Sequence, residues 1–294
     1  MATAEQLAKL AGRHIIASVS GGKDSAALAL HLRELDLAFT PVFMDTGWES
    51  DVTYEYLRGP LTDCLGPIVE LKAARQMLAL IRHKGMFSSK QRRYCTRSLK
   101  VEPMQAYLHT LDYDHVNAVG IRAEESAARA SMSEWEWSEG FDCDVWRPIL
   151  SWSFDDVVAI HKRHSLPPNP LYLAGAERVG CWPCVMSRKA EVRMIADLDP
   201  ARIDLIRTLE AEVKVIADAR YAERGESLAS LGYDDPAWFQ AAIGRKGMWP
   251  IDRVVEWSRT KRGGKEPELF AADPADAGCM RWGMCDTPAS SDEP

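Results

Sequence analysis

Short apolar runs alternate with amphipathic stretches along the first half of the chain. His14 to Val19 reads as a buried strand, Ser25 to Leu35 as a helix, Ala38 to Thr46 as a second strand and Pro67 to Leu71 as a third. Helical spacing follows near Ala73 to His83 and Thr96 to Leu111, and then a further strand from His115 to Arg122. Strands alternating with helices predict an α/β fold, with a mostly parallel sheet flanked by helices. Ser153 to His164 is predicted as a helix with Ser153 as its cap and Asp156 in the acidic first turn. The prolines of "LPPNPLY" then force an extended, turn-rich passage. From Lys189 to about Arg224 the pattern is helical and charged, and beyond Gly263 it is loop-like. The reading divides the chain into a nucleotide-binding domain at 1–188 and a helical extension with a cysteine-containing tail at 189–294.

Composition adds limits. An apolar content of 46% in 294 residues is enough for a substantial core, and the formal charge of -7 does not mark the surface as a whole as nucleic-acid binding. The first residues lack the apolar run of a signal peptide, and no run is long enough to span a bilayer, so a cytoplasmic protein with no membrane partner is expected. Seven cysteines, an odd count, then suggest metal ligands or redox groups rather than a disulfide framework.

The chemistry begins where the first strand meets the first helix. Ser20-Gly21-Gly22-Lys23-Asp24-Ser25 lets the backbone approach an anion closely and aims first-turn N–H groups at it. Lys23 adds a point charge, and Ser20 and Ser25 add hydroxyls. The spacing differs from that of a Walker A loop, in which four residues separate the first glycine from the Gly-Lys pair.

"SGGKDS" resembles the signature of the PP-loop family, the N-type ATP pyrophosphatases. That resemblance implies an adenine-nucleotide α-hydrolase-like parallel sheet, a pyrophosphate cradle formed by residues 20–25, and Lys23 and Asp24 in catalytic roles with ATP and Mg²⁺. Downstream, "VFMDTGWE", "RRYCTRSLKVEP", "GIRAEESAAR" and the passage from "WRPILSW" through "NPLY" to "RVGCWPC" form an ordered set similar to the phosphoadenosine-phosphosulfate reductase family, over roughly residues 14 to 185. The Glu-Cys-Gly-Leu-His motif of authentic reductases is missing. An ATP-type loop on a reductase-type body resembles the DNA phosphorothioation proteins of the DndC and SspD type, and less closely tRNA thiolation enzymes.

Other residues extend the candidate site. Asp45, at the end of its strand, is expected either to bind a ribose hydroxyl or Mg²⁺ or to cap the strand. Gly120 and Arg122 follow another strand end, where ligand residues gather. Arg129 lies about two helical turns on, to meet either phosphate or the neighbouring Glu124 and Glu125. Arg82, Lys84, Lys90, Arg92, Arg93, Arg97 and Lys100 form a basic strip with no acidic residue among them, and Arg92, Arg93 and Lys100 are read as substrate contacts. A second basic run spans Arg259 to Lys265. Cys181 and Cys184 form a C-x-x-C. With Cys95 and a tail cysteine, Cys285 in preference to Cys279, they would supply four thiolates for a [4Fe–4S] cluster, with zinc the rival. Cys64 and Cys143 are read as structural, His161 and His164 as packing or surface residues, and Trp135 and Trp137 as a half-buried alternation that packs the core in preference to stacking a base.

The function expected is ATP-driven activation of a nucleic-acid phosphate or base oxygen for sulfur incorporation, with release of AMP and pyrophosphate. Nucleic acid and a sulfur donor such as a cysteine desulfurase are the candidate partners. The rival readings are a reductase of phosphoadenosine phosphosulfate or adenosine phosphosulfate that releases sulfite, and a non-catalytic nucleotide-binding subunit of a DNA-modification complex.

Overall fold

A computed structural model describes residues 3–240, 248–260 and 282. Its main sheet has six strands in the order β3-β2-β1-β4-β6-β5. These are β1 (His14–Val19), β2 (Phe39–Asp45), β3 (Val69–Lys72), β4 (His115–Val119), β5 (Trp135–Ser138) and β6 (Cys143–Trp146). All neighbours pair in parallel except β5, which runs antiparallel to β6 at one edge. The expected α/β sheet flanked by helices is what the chain forms. From β1 it builds outward to β2 and β3, then returns to place β4 on the other side of β1. The carboxyl ends of β1 and β4 are therefore the switch point at which open α/β sheets hold ligands.

Alternation along β1 explains why both faces are covered. Ile15, Ala17 and Val19 join the core with α1 (Lys23–Glu34), whose Ala26 to Leu30 are wholly buried, while Ile16 packs on the opposite face with Val42, Met104 and Leu108. α2 (Met77–Lys84) starts four residues later than the hydrophobic spacing suggested. The stretch from Asp51 to Leu65 is helical, and Pro60 is accommodated in a π-type turn at Leu57–Leu61. α3 (Phe154–Arg163) has the expected box, with Ser153 and Asp156 each accepting from the other's backbone N–H.

The helical extension is split in two. Pro200 has no N–H to continue a helix, so α4 (Lys189–Leu198) ends there and α5 (Pro200–Ala222) begins, with the Asp199 side chain accepting from Arg202 N. α6 (Ile251–Ser258) follows two short antiparallel strands, β7 (Phe239–Gln240) and β8 (Met248–Trp249). These helices form a second core with Trp48, Met77, Ile81, Phe87, Leu99 and Trp182. Among the described residues no helix is long and apolar enough to cross a membrane. Most of the tail beyond Gly263, including Cys279 and Cys285, lies outside the described residues, as does most of the second basic run; Trp282 is described, and is buried against Phe154, His161 and Tyr172.

Candidate nucleotide site and the adjoining cysteines

The glycine loop turns at the carboxyl end of β1. Gly21 has φ +70°, a left-handed conformation that L side chains rarely adopt, and a Cβ there would also come within 2.9 Å of Thr53 Cγ2. Gly22 is extended and caps α1 without a side chain. The Ser25 hydroxyl donates to Gly22 O at 2.9 Å and accepts from Ser20 N at 3.1 Å, which ties the two ends of the loop together. Lys23 N donates to the Tyr172 hydroxyl at 3.1 Å. The backbone N–H groups of Gly21, Gly22, Asp24 and Ser25 have no acceptor among the described residues. Four donors thus converge at a helix N-terminus, where the dipole also favours negative charge.

The charges of the loop are held by neighbours. The Lys23 side chain is 10% exposed; its Nζ lies 3.2 Å from Asp24 Oδ2 and 5.0 Å from the Tyr172 ring centroid. Arg122, reaching across from the end of β4, donates from Nε to Asp24 Oδ1 at 2.5 Å and from Nη1 to Glu124 at 2.6 Å. Burial works against the Arg122 charge, but Asp24 and Glu124 outweigh it and raise its pKa. Gly120 is what allows β4 and α1 to approach, since a Cβ there would sit 2.6 Å from the Asp24 carbonyl oxygen. Arg122 and Gly120 thus reach the loop from its second layer. Arg129 pairs with Glu125. Asp45 is fully engaged, accepting from Tyr54 Oη at 2.6 Å and Gly47 N at 2.8 Å, with Lys72 Nζ at 3.2 Å. Burial opposes its ionisation, yet these partners hold its carboxyl below the usual range.

Three side chains from a distant segment complete the loop's support, and sequence reasoning gave none of them this role. Asn169 Nδ2 donates to Gly21 O at 3.2 Å, the buried Tyr172 meets Lys23 as described, and His161 Nε2 lies 3.1 Å from Lys23 O while Nδ1 lies 3.2 Å from Leu166 O. For Asn169 and Tyr172 the signal was "NPLY" itself, a polar residue and a tyrosine inside an apolar turn.

From Tyr172 the chain passes over the loop to the cysteines. Glu177 O is 3.4 Å from Lys23 Nζ, and Val179 stands two residues before Cys181. The Cys181–Cys184 turn is strapped to the residue after β2 and its turn, with Trp182 N donating to Trp48 O at 2.8 Å and Trp48 Nε1 to Pro183 O at 3.0 Å. Burial pushes the Cys181 thiol up to about 11; Lys100 acts in the opposite direction, and Glu49, Cys184 and Cys95 add to the rise. Cys95, Cys181 and Cys184 therefore share one electrostatic neighbourhood with Lys100. Among the described residues no three His, Cys, Asp or Glu side chains stand ready-assembled around a metal. Cys95, Cys181 and Cys184 are free thiols, and the fourth expected ligand, Cys285, lies outside the described residues. In the basic strip, Arg82 pairs with Glu212 and Arg97 with Glu102, whereas Lys90, Arg92 and Arg93 are exposed and have no carboxylate partner among the described residues.

The family model of the phosphoadenosine phosphosulfate reductase domain matches residues 14–187. The "Uncharacterized 37.8 kDa protein in gpa 5'region" of Escherichia phage 186 is 34% identical over 313 aligned positions, 87% of this chain and 91% of that protein. An adenosine 5'-phosphosulfate reductase of Neisseria meningitidis is 34% identical over 117 residues, 38% of this chain and 47% of that enzyme. A phosphoadenylyl-sulfate reductase structure from Candida auris superposes with a TM-score of 0.48 at 17% identity, covering 62% of this chain and 97% of that one.

Proposed function

Because the chain belongs to the phosphoadenosine phosphosulfate reductase domain family, and carries an ATP-type glycine loop on that body, we propose that it is a PP-loop ATP pyrophosphatase that adenylates an acceptor oxygen for replacement by sulfur. The observation that carries this reading is the set of four N–H groups of Gly21, Gly22, Asp24 and Ser25 at the start of α1 that have no acceptor among the described residues. They suit a pyrophosphate that must be held while it accumulates charge. An acceptor oxygen, deprotonated on attack, bonds to the α-phosphorus; the bond from that phosphorus to the bridging oxygen breaks, and pyrophosphate leaves with the electron pair. Lys23, released from Asp24 and Glu177 O, neutralises the leaving group. Arg122 keeps Asp24 oriented through the step. A persulfide sulfur then displaces AMP, and a second thiol releases the sulfurated acceptor as a disulfide forms on the donor.

Cys95, Cys181, Cys184 and Cys285 are the ligands we assign to a [4Fe–4S] cluster, which supplies redox and sulfide-binding chemistry when bound; zinc on the same thiolates would supply structure alone. The second reading, an adenosine phosphosulfate reductase that releases sulfite, is favoured by the identity to enzymes of that name over about a third of this chain.

The test is product analysis with α-labelled ATP, a nucleic-acid acceptor and a persulfide donor. AMP and pyrophosphate should form in equal amounts, and Lys23→Ala should slow their release by roughly 10²- to 10³-fold. Sulfite from adenosine phosphosulfate, with no AMP from ATP, would transfer the chain to the second reading. Anaerobically purified protein should be brown and should lose its colour in Cys181→Ser; a colourless, zinc-containing preparation would remove the cluster.

A further inference from the structure

A cavity of about 350 Å³ lies beyond the C-x-x-C, within the size range of small-ligand sites. Its lining includes Phe239, Trp249 and Trp257, Met186 and Ser187, and the Ser89-Lys90-Gln91 loop. Trp249 and Trp257 are only half-buried and meet edge to face, with ring centroids 6.4 Å apart. Each also has a cation against its ring, Arg253 at 4.1 Å from the Trp249 centroid and Lys189 at 5.1 Å from that of Trp257. Apolar cores rarely leave two tryptophans open to a cavity with cations about them, whereas π-faces bordered by cations are how proteins hold unstacked bases.

The Ser89-Lys90-Gln91 loop and the residues after it give the charge. Lys90, Arg92 and Arg93 are exposed and lack carboxylate partners among the described residues, in a chain whose formal charge is -7. Arg82 and Arg97, in the same strip, are paired. Uncompensated cations beside aromatic walls complement a phosphate backbone with a base turned inward. Ser89, Gln91 and Ser187 offer hydrogen-bonding groups for the base's edge. The cavity wall at Met186 is two residues from Cys184, a reach of at most about 7 Å of chain.

We propose that this cavity binds one unstacked base of a single-stranded nucleic acid, with the flanking phosphates on Lys90, Arg92 and Arg93. The inference rests on the sulfur-transfer reading only for the identity of the acceptor, and it names that acceptor's form: a base presented beside the thiols. A base inside a duplex is stacked and cannot enter such a pocket without being flipped out.

The experiment is fluorescence anisotropy of the full-length chain with labelled oligonucleotides and no ATP. Single strands should bind more tightly than the same sequence as a duplex and more tightly than an abasic strand of equal length. Trp257→Ala and Trp249→Ala should each weaken single-strand binding by roughly 5- to 150-fold, the range expected for loss of one stacked base. Lys90→Glu with Arg92→Glu should weaken it further and flatten its salt dependence. ATP binding, measured alongside, reports on folding of the variants. Crosslinking of a 4-thiouridine strand to the folded wild-type chain should map to Trp249 or Trp257. Equal binding of abasic and normal strands, equal binding of duplex, or crosslinks confined to other segments would overturn the proposal. Binding without AMP formation would retain the cavity assignment and count against the sulfur-transfer reading; AMP formation with no binding would do the reverse.

Discussion

With Arg122 Nε 2.5 Å from one carboxylate oxygen of Asp24 and Lys23 Nζ 3.2 Å from the other, one short side chain joins the end of β4 to the start of α1. Both partners of the Arg122–Asp24 pair are largely buried, at 5% and 13% side-chain exposure. Removing one member of such a pair leaves a buried charge short of a partner, whereas removing both does not. Asp24→Asn should therefore cost about 3 kcal/mol, the low end of the range for broken buried pairs, because Glu124 still holds Arg122. The double variant Asp24→Asn/Arg122→Met should lose less than the sum of the two single losses. Urea unfolding midpoints at constant m-value read both quantities. Strict additivity would mean that the pair is not coupled, and the positioning role given to Arg122 would fall with it.

α3 delivers His161 to the loop, and the element explains why that role was hard to see. In sequence, His161 and His164 look alike, three residues apart near the end of a capped helix. In the fold, His164 meets Glu34 at the surface, while His161 is buried between the carbonyls of Lys23 and Leu166. A neutral imidazole can donate to only one of them. Burial lowers the His161 pKa, and the two carbonyls oppose that shift without reversing it. The unfolded chain thus binds the proton more readily than the folded one. The associated stability is fully present above the ordinary value of 6.5 and falls as pH drops below it, until the lowered folded-state value is reached. His31, also lowered chiefly by burial, contributes with the same sign. His161→Gln should flatten the pH dependence of stability below 6.5 and leave the remaining His31 slope; thermal unfolding at stepped pH tests this. An unchanged slope would mean that the ring titrates alike in both states. The glycine loop was legible in sequence because strand, turn and helix are consecutive. Asn169, His161 and Tyr172 act on it across more than 135 residues of chain, so only topology assigns their roles.

At the scale of the whole molecule the two cores divide differently from the sequence pattern. Strand periodicity made the first core legible, since Ile15, Ala17 and Val19 alternate with Ile16. The second core was not legible, because its residues come from separate segments whose own patterns are weak. Trp48 follows a strand, Phe87 and Leu99 sit in and after an irregular loop, and Trp182 lies within the C-x-x-C; their partners are Val192, Ile195, Ile206 and Trp238. Trp48 packs against Trp238 with the rings tilted by 32° and 4.9 Å between centroids, and carries Arg202 on its face at 4.4 Å. A chain cut after residue 188 would keep every residue of the glycine loop and the C-x-x-C but lose these partners. Exposing four large apolar side chains at about 2 kcal/mol each takes about 8 kcal/mol, on the scale of a domain's entire stability. The 1–188 fragment should therefore bind the dye ANS, aggregate on size-exclusion chromatography and fail to bind ATP, although no loop residue is missing. A monomeric fragment with a cooperative thermal transition and full ATP affinity would show that the first 188 residues fold alone. The helices from Lys189 onward would then serve only the aromatic cavity and the cysteines. The dependence expected here instead makes the extension the wall against which Trp48 and Trp182 hold the thiols beside the nucleotide loop.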